Sequence, residues 1–220
     1  MKFKFALVAA ALAVSSLANA ATIDWNTWSS NSAGSISTTS GPISVTYSGE
    51  MNGQLTGYPS WGPSATFADG TIVANAPVAA NGIVRLIGGG DLLVDTVTFS
   101  QAVVNPVFSI WSLGQAGDEA SFHFLDATPV LVAGGPGAEY GGSSISVSGN
   151  DVFGTEGNGT VQFIGTFTSL SWVNPVAEDW YGFNVGVPGA TGVVPEPGSM
   201  GMLMAGLTLT AMAMRRRHLR

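Results

Sequence analysis

His123 is the sole histidine between the terminal segments of this 220-residue chain, so a Ser-His-Asp triad or any imidazole base would have to be built on it. In Ser121-Phe122-His123-Phe124-Leu125 it alternates with two phenylalanines, which sets it on the solvent-facing side of a strand. No Gly-x-Ser-x-Gly elbow occurs, and histidine and cysteine nowhere recur at metal-ligand spacing. The sequence therefore assigns no catalytic residue. Carboxylates are the more abundant reagent, adjacent at Asp118-Glu119 and Glu178-Asp179 and single at Asp91, Asp95, Asp126, Glu139, Asp151 and Glu156. Two of them on different strands could act as the acid and base of a glycosidase or lyase, given an enclosed cleft that raises one pKa. The same oxygens suit Ca²⁺, with Asp118, Glu119, Asp151 and Glu156 as the candidate ligands, although no EF-hand or other calcium repeat surrounds them. Solvated loop charge is the plainer account of these acids, and calcium is the only cofactor they suggest.

Aromatic residues offer a second chemistry. Tyr58 and Trp61 sit in Gly57-Tyr58-Pro59-Ser60-Trp61-Gly62-Pro63, too rich in Gly and Pro for a strand, and exposed rings there could stack on the faces of sugars. Trp111 and Trp172 read instead as core. Arg85 lies in an apolar stretch and is expected to pair with Asp91 or Asp95 across a turn.

These residues need a scaffold, and the period of the apolar positions defines it. Ile43, Val45 and Tyr47 alternate with Ser44, Thr46 and Ser48; Val161, Phe163, Gly165 and Phe167 alternate with Thr160, Gln162, Ile164 and Thr166; Tyr181, Phe183, Val185 and Val187 form a last run. Nothing between residues 21 and 187 sustains a 3.6-residue period, so the expectation is an all-β body with one packed and one wetted face per strand. Ile83 to Ile87 and Val107 to Leu113 are apolar on both sides and read as central strands. Many short strands at this spacing favour an antiparallel β-sandwich, jelly-roll-like, over an up-and-down barrel. The sequence V-N-P-V-x-x-x-W occurs at Val104 to Trp111 and again at Val173 to Trp180, which reads as two strands solving one corner problem alike.

Composition narrows the partners. Residues 21–194 carry thirteen acidic residues against one basic, Arg85, a formal charge of −12. Such a body opposes nucleic acid and anionic lipid, whose phosphates require clustered Lys and Arg. The chain has no cysteine, so its core is held by packing alone, for which 174 residues suffice.

The ends carry addresses. Lys2 and Lys4, the uncharged run Phe5 to Leu17, and Ala18-Asn19-Ala20 form a secretory signal peptide, residues 1–20, cleaved by signal peptidase after Ala20. Past a Pro/Gly linker at 188–193, Val194-Pro195-Glu196-Pro197-Gly198-Ser199 precedes a charge-free run from Gly198 to Met214 and then Arg215, Arg216 and Arg217. As a transmembrane helix that run would rise ~26 Å, near the thickness of a bilayer's apolar core, with the arginines stopping it on the cytoplasmic side.

This order of Pro-Glu-Pro, apolar helix and arginine cluster resembles the PEP-CTERM sorting signal of diderm bacteria, the resemblance being confined to residues 194–220. It implies recognition of Val194, Pro195, Glu196 and Pro197 by an exosortase, a transient inner-membrane anchor, and delivery to the cell surface or extracellular matrix. The leading expectation is thus a non-catalytic surface or matrix protein associated with exopolysaccharide or biofilm. A carbohydrate-binding module and a glycosidase or lyase are the alternatives. The first alternative requires an exposed aromatic platform and the second a cleft with facing carboxylates.

Overall fold

Alternation at residues 43–47 is realised as written. Ile43, Val45 and Tyr47 are buried and Ser44, Thr46 and Ser48 are exposed along one strand, because a β-strand turns successive side chains to opposite faces. The structure, a computed structural model, describes residues 20–89 and 93–189. The signal segment with Ala18, the sorting tail with its proposed helix and arginines, and Asp91 lie outside the described residues.

Among the described residues the body has fifteen strands, one α-helical turn and one 3-10 turn (Ala79–Asn81). In chain order they are β1 (Ile23–Trp28), β2 (Ala33–Thr38), β3 (Gly41–Ser48), β4 (Gln54–Leu55), α1 (Ser64–Phe67), β5 (Ile83–Leu86), β6 (Asp95–Val104) and β7 (Val107–Leu113). Then come β8 (Ala120–Phe124), β9 (Pro129–Gly134), β10 (Ser143–Ser144), β11 (Ser146–Ser148), β12 (Asp151–Gly154), β13 (Gly157–Phe163), β14 (Thr166–Val173) and β15 (Tyr181–Pro188). Among the described residues no helix is long and apolar enough to cross a membrane.

The hydrogen-bonded order is β10-β13-β7-β15-β1-β2-β3-β6-β14-β8-β12-β11, antiparallel except for β10 against β13. β1 serves both halves of this path: Ile23 to Trp25 pair with β15, and Asn26 to Trp28 pair with β2. The two layers expected of a sandwich are therefore parts of one large sheet bent at β1 into a near-barrel. Between them lies an aromatic interior. Phe108 of β7 reaches across to Phe122, Phe124 and Trp172 at 5.5, 5.5 and 5.2 Å between ring centres, and stacks on Phe183 at 4.8 Å.

Both Val-Asn-Pro-Val segments carry the chain from one layer to the other, β6 to β7 and β14 to β15. At the first, Asn105 takes a left-handed backbone, and its side chain and amide bond Gly165 in the neighbouring turn. At the second, Asn174 is buried and bridges Trp172 to the Ser121 carbonyl. The same two residues thus begin each crossing and are anchored differently. The run expected to continue from Val161 to Phe167 is instead broken at Ile164-Gly165, which turns β13 of one layer into β14 of the other.

One layer is covered on its outer side too. β7 and all but the last residue of β15 are buried throughout, so the wetted face expected for Tyr181 to Val187 is absent. Residues 57–82 account for this. Trp61 and Phe67 pack with Ile83 and Trp111, and the Phe67 carbonyl accepts from Thr160, whose hydroxyl is also bonded to Ser109. Gly186 makes room for the side chains of β1 beside it, since a Cβ there would stand 2.5 Å from Ile23 Cγ2. At the fork where β1 and β5 share one edge of β15, the Asn184 amide donates to the carbonyls of Asn26 and Gly82, which the split ladder leaves without strand partners.

Candidate functional site

Four segments distant in sequence meet at one end of the covered layer. The buried indole of Trp111 from β7 lies 5.4 Å from Tyr58, 5.3 Å from Tyr140 and 4.9 Å from Trp180, measured between ring centres. Trp111 is only 1% exposed, Tyr58 and Trp180 are half-buried, and Tyr140 is 57% exposed, so the rings rise from a fixed base to solvent. This juxtaposition has no local signature, because Tyr140 stands alone in a glycine-rich stretch and Trp180 follows an acidic pair.

Hydrogen bonds hold each segment. Glu139 accepts the Ser60 amide at 2.7 Å through Oε1 and the Trp111 indole N–H at 3.2 Å through Oε2, tying the Tyr140 segment to the Tyr58 loop and to β7. Ala138 donates to the Gly62 carbonyl, and Gly137 and Gly141 exchange amide bonds that close the turn bearing Tyr140. Glu178 bonds the Gly114 amide at 2.6 Å, fixing the segment that leads to Trp180. Arg85 lies with its guanidinium 5.3 Å from the Trp180 ring centre and donates to the Asn52 carbonyl.

This corrects the Asp95 pairing expected for Arg85, whose described contact is an aromatic face, while the Asp91 alternative lies outside the described residues. Asp95 is itself taken. It is buried, and Oδ1 receives the Tyr47 hydroxyl and the Glu50 amide, each at 2.6 Å.

Electrostatics divide the carboxylates. Burial would raise the Glu139 pKa, but hydrogen bonds from Ser60 and Trp111 outweigh it and hold the group below the usual carboxylate range, charged beside the rings. Glu178 is pushed up to about 7 by burial, with the charges of Glu156 and Asp179 adding to the shift and the Gly114 amide opposing it. Among the described residues, three of the four non-glycine residues with left-handed backbones, Trp61, Ser112 and Glu156, stand in this region, and Ser112 donates to Glu156 at 2.5 Å. Backbone strain of this kind persists only where surrounding structure enforces it.

Of the two aromatic candidates, Tyr58 joins this cluster at the surface and Trp61 does not. Trp61 is 2% exposed and packs edge-on to Phe67 at 5.1 Å, because the Gly/Pro-rich loop folds down over β7 instead of standing clear of it. The calcium candidates are occupied separately. Asp118 closes an exposed turn with Gln115, Asp151 sits 2.7 Å from His123 on the neighbouring strand, and Glu156 holds Ser112. Glu119 is exposed beside Asp118. Among the described residues no three His, Asp or Glu gather as a metal site. A pocket of about 230 Å³ contains Glu50 and Asp95, but both Glu50 oxygens accept backbone amides, from Ile87 and Gly88. Those carboxylates serve the fold. Tyr140 is the site residue that pattern reasoning missed, while the sequence singles out Glu139 only among the scattered carboxylates and Trp180 only as the end of a repeated motif.

No curated protein and no solved structure matches the chain. A family model described as the PEP-CTERM protein-sorting motif matches residues 193–217, which include Pro195-Glu196-Pro197 and Arg215 to Arg217. The chain thus ends in a PEP-CTERM protein-sorting motif, which supports an exported protein sorted by an exosortase.

Proposed function

We infer that this is a non-catalytic surface or extracellular-matrix protein, exported with a cleavable leader, held briefly in the inner membrane and released or transferred by an exosortase into an exopolysaccharide-rich matrix. The observation that carries the reading is the sorting motif at residues 193–217, placed directly behind a folded, sandwich-like β body that ends at Pro188. Three further features support it. The acidic body suits life in solvent outside the cell. Export is consistent with the Lys2-Lys4 leader and its Ala18-Asn19-Ala20 cleavage pattern. The buried Asp95 and half-buried Glu50 carboxylates are committed to hydrogen bonds that hold β3, β5 and β6 in place.

Intact mass spectrometry of the protein from medium and membrane of its host tests this. The expected mature species begins at Ala21 and ends near Val194, and Glu196→Ala is expected to accumulate a precursor that retains Arg220. Unchanged maturation of that variant would remove the sorting motif from the account.

A further inference from the structure

We propose that Tyr58, Tyr140 and Trp180, set round the buried Trp111 with the Glu139 carboxylate beside them, form a binding platform for a neutral polysaccharide. The proposal goes beyond sorting and does not depend on it. A pyranose ring offers an apolar C–H face and a rim of hydroxyl donors, and this site offers the complement of both. The faces are supplied by Tyr140, the most exposed ring, and by the half-buried Tyr58 and Trp180, with ring centres of the last two 6.1 Å apart. The acceptor is supplied by Glu139. Its two oxygens each receive one protein donor, Ser60 and Trp111, and a carboxylate oxygen accepts more than one hydrogen bond, so each retains capacity toward a sugar hydroxyl.

The site is already ordered. Its rings come from four segments fastened to one another by the bonds of Glu139, Ala138 and Glu178, so ligand binding would immobilise little of the protein. Charge selects among glycans. Glu139 stays ionised, Asp179 directly precedes Trp180, and the formal charge of the body is −12, which repels uronate or sulfated chains. Arg85, stacked on the Trp180 ring and bonded to the Asn52 carbonyl, returns one positive charge, which the surrounding carboxylates outnumber.

A proline-rich peptide is the other ligand known to favour aromatic surfaces. It fits less well here, because proline has no N–H to give the Glu139 carboxylate.

The test is native electrophoresis of the full-length chain in a neutral detergent, through gels containing hydroxyethylcellulose, xyloglucan, galactomannan, dextran or alginate. Retardation is expected in at least one of the four neutral gels and not in alginate. Stacking on one ring is worth roughly a tenfold change in affinity, so Tyr140→Ala is expected to weaken the effect by about tenfold while Tyr140→Phe stays within about twofold. Tyr140 is exposed, so its truncation leaves the core intact. No retardation in any neutral gel, equal retardation of wild type and Tyr140→Ala, or retardation in alginate alone would each overturn the proposal. Binding of a proline decamer, lost in Tyr140→Ala and without neutral-glycan binding, would overturn it in favour of a peptide site.

Discussion

Phe108→Ala is expected to lower the unfolding free energy by about 4 kcal/mol, within the range for removing a buried phenylalanine ring. Phe108 is fully buried between the two layers, meeting Phe122, Phe124 and Trp172 from one and Phe183 from the other. Its neighbours are rings on ladder-bound strands and cannot collapse into the space, so the transfer loss and the cavity loss add. Urea denaturation followed by circular dichroism measures the change, with Val104→Ala as the control. Val104 is 59% exposed, and its truncation is expected to cost at most about 0.5 kcal/mol. A Phe108 effect as small as the control's would mean that the layers are not packed on each other as described.

The second large effect is a dependence of stability on pH that Asp95→Asn should remove in part. Burial first, and the Glu50 charge after it, push Asp95 up to about 6, against hydrogen bonds from Tyr47 and Glu50 that act in the other direction.

A folded-state pKa raised above the unfolded value of 3.8 gives stability that is fully present below that value and lost as pH rises through about 6. Glu178, raised from 4.5 to about 7, has the same sign over a slightly higher window. Asp69 and Glu139 are lowered and act oppositely, losing stability only as pH falls below the usual carboxylate range. The body should therefore be most stable near about pH 4, where these opposite windows meet, and weaken as pH rises toward about 7. Asp95→Asn keeps an acceptor for Tyr47 and Glu50 without the charge. It is expected to gain on the order of 2 kcal/mol at pH 8 and little at pH 4, as read from denaturant midpoints at the two pH values. Equal midpoint shifts at both would show that the Asp95 charge contributes nothing.

The aromatic site was half legible. Tyr58 stood out because a ring between Gly and Pro residues is not part of a strand, and it does reach the surface cluster. Trp61, from the same loop, was drawn to the same role and is buried against Phe67, since local composition indicates a loop but not which side of that loop finds a sheet to cover. The Asp95 pairing expected for Arg85 failed for a related reason. Asp95 is near in sequence, but it faces Tyr47 from the strand beside it, while Trp180 arrives from nearly a hundred residues away.

By itself the sequence determined what depends on neighbours in the chain: an all-β body from the period-two runs, a double-sided β7 from its unbroken apolar stretch, a strongly acidic surface, and a C-terminal sorting motif. Tertiary structure alone decided what depends on distant segments. It bent one sheet into two layers at β1, closed residues 57–82 over β7 and β15, and brought Tyr58, Tyr140 and Trp180 round Trp111. The reason is that alternation along a strand reports which side chains share a face, whereas whether that face meets water, another layer or a returning loop is set by packing between residues that no local pattern connects.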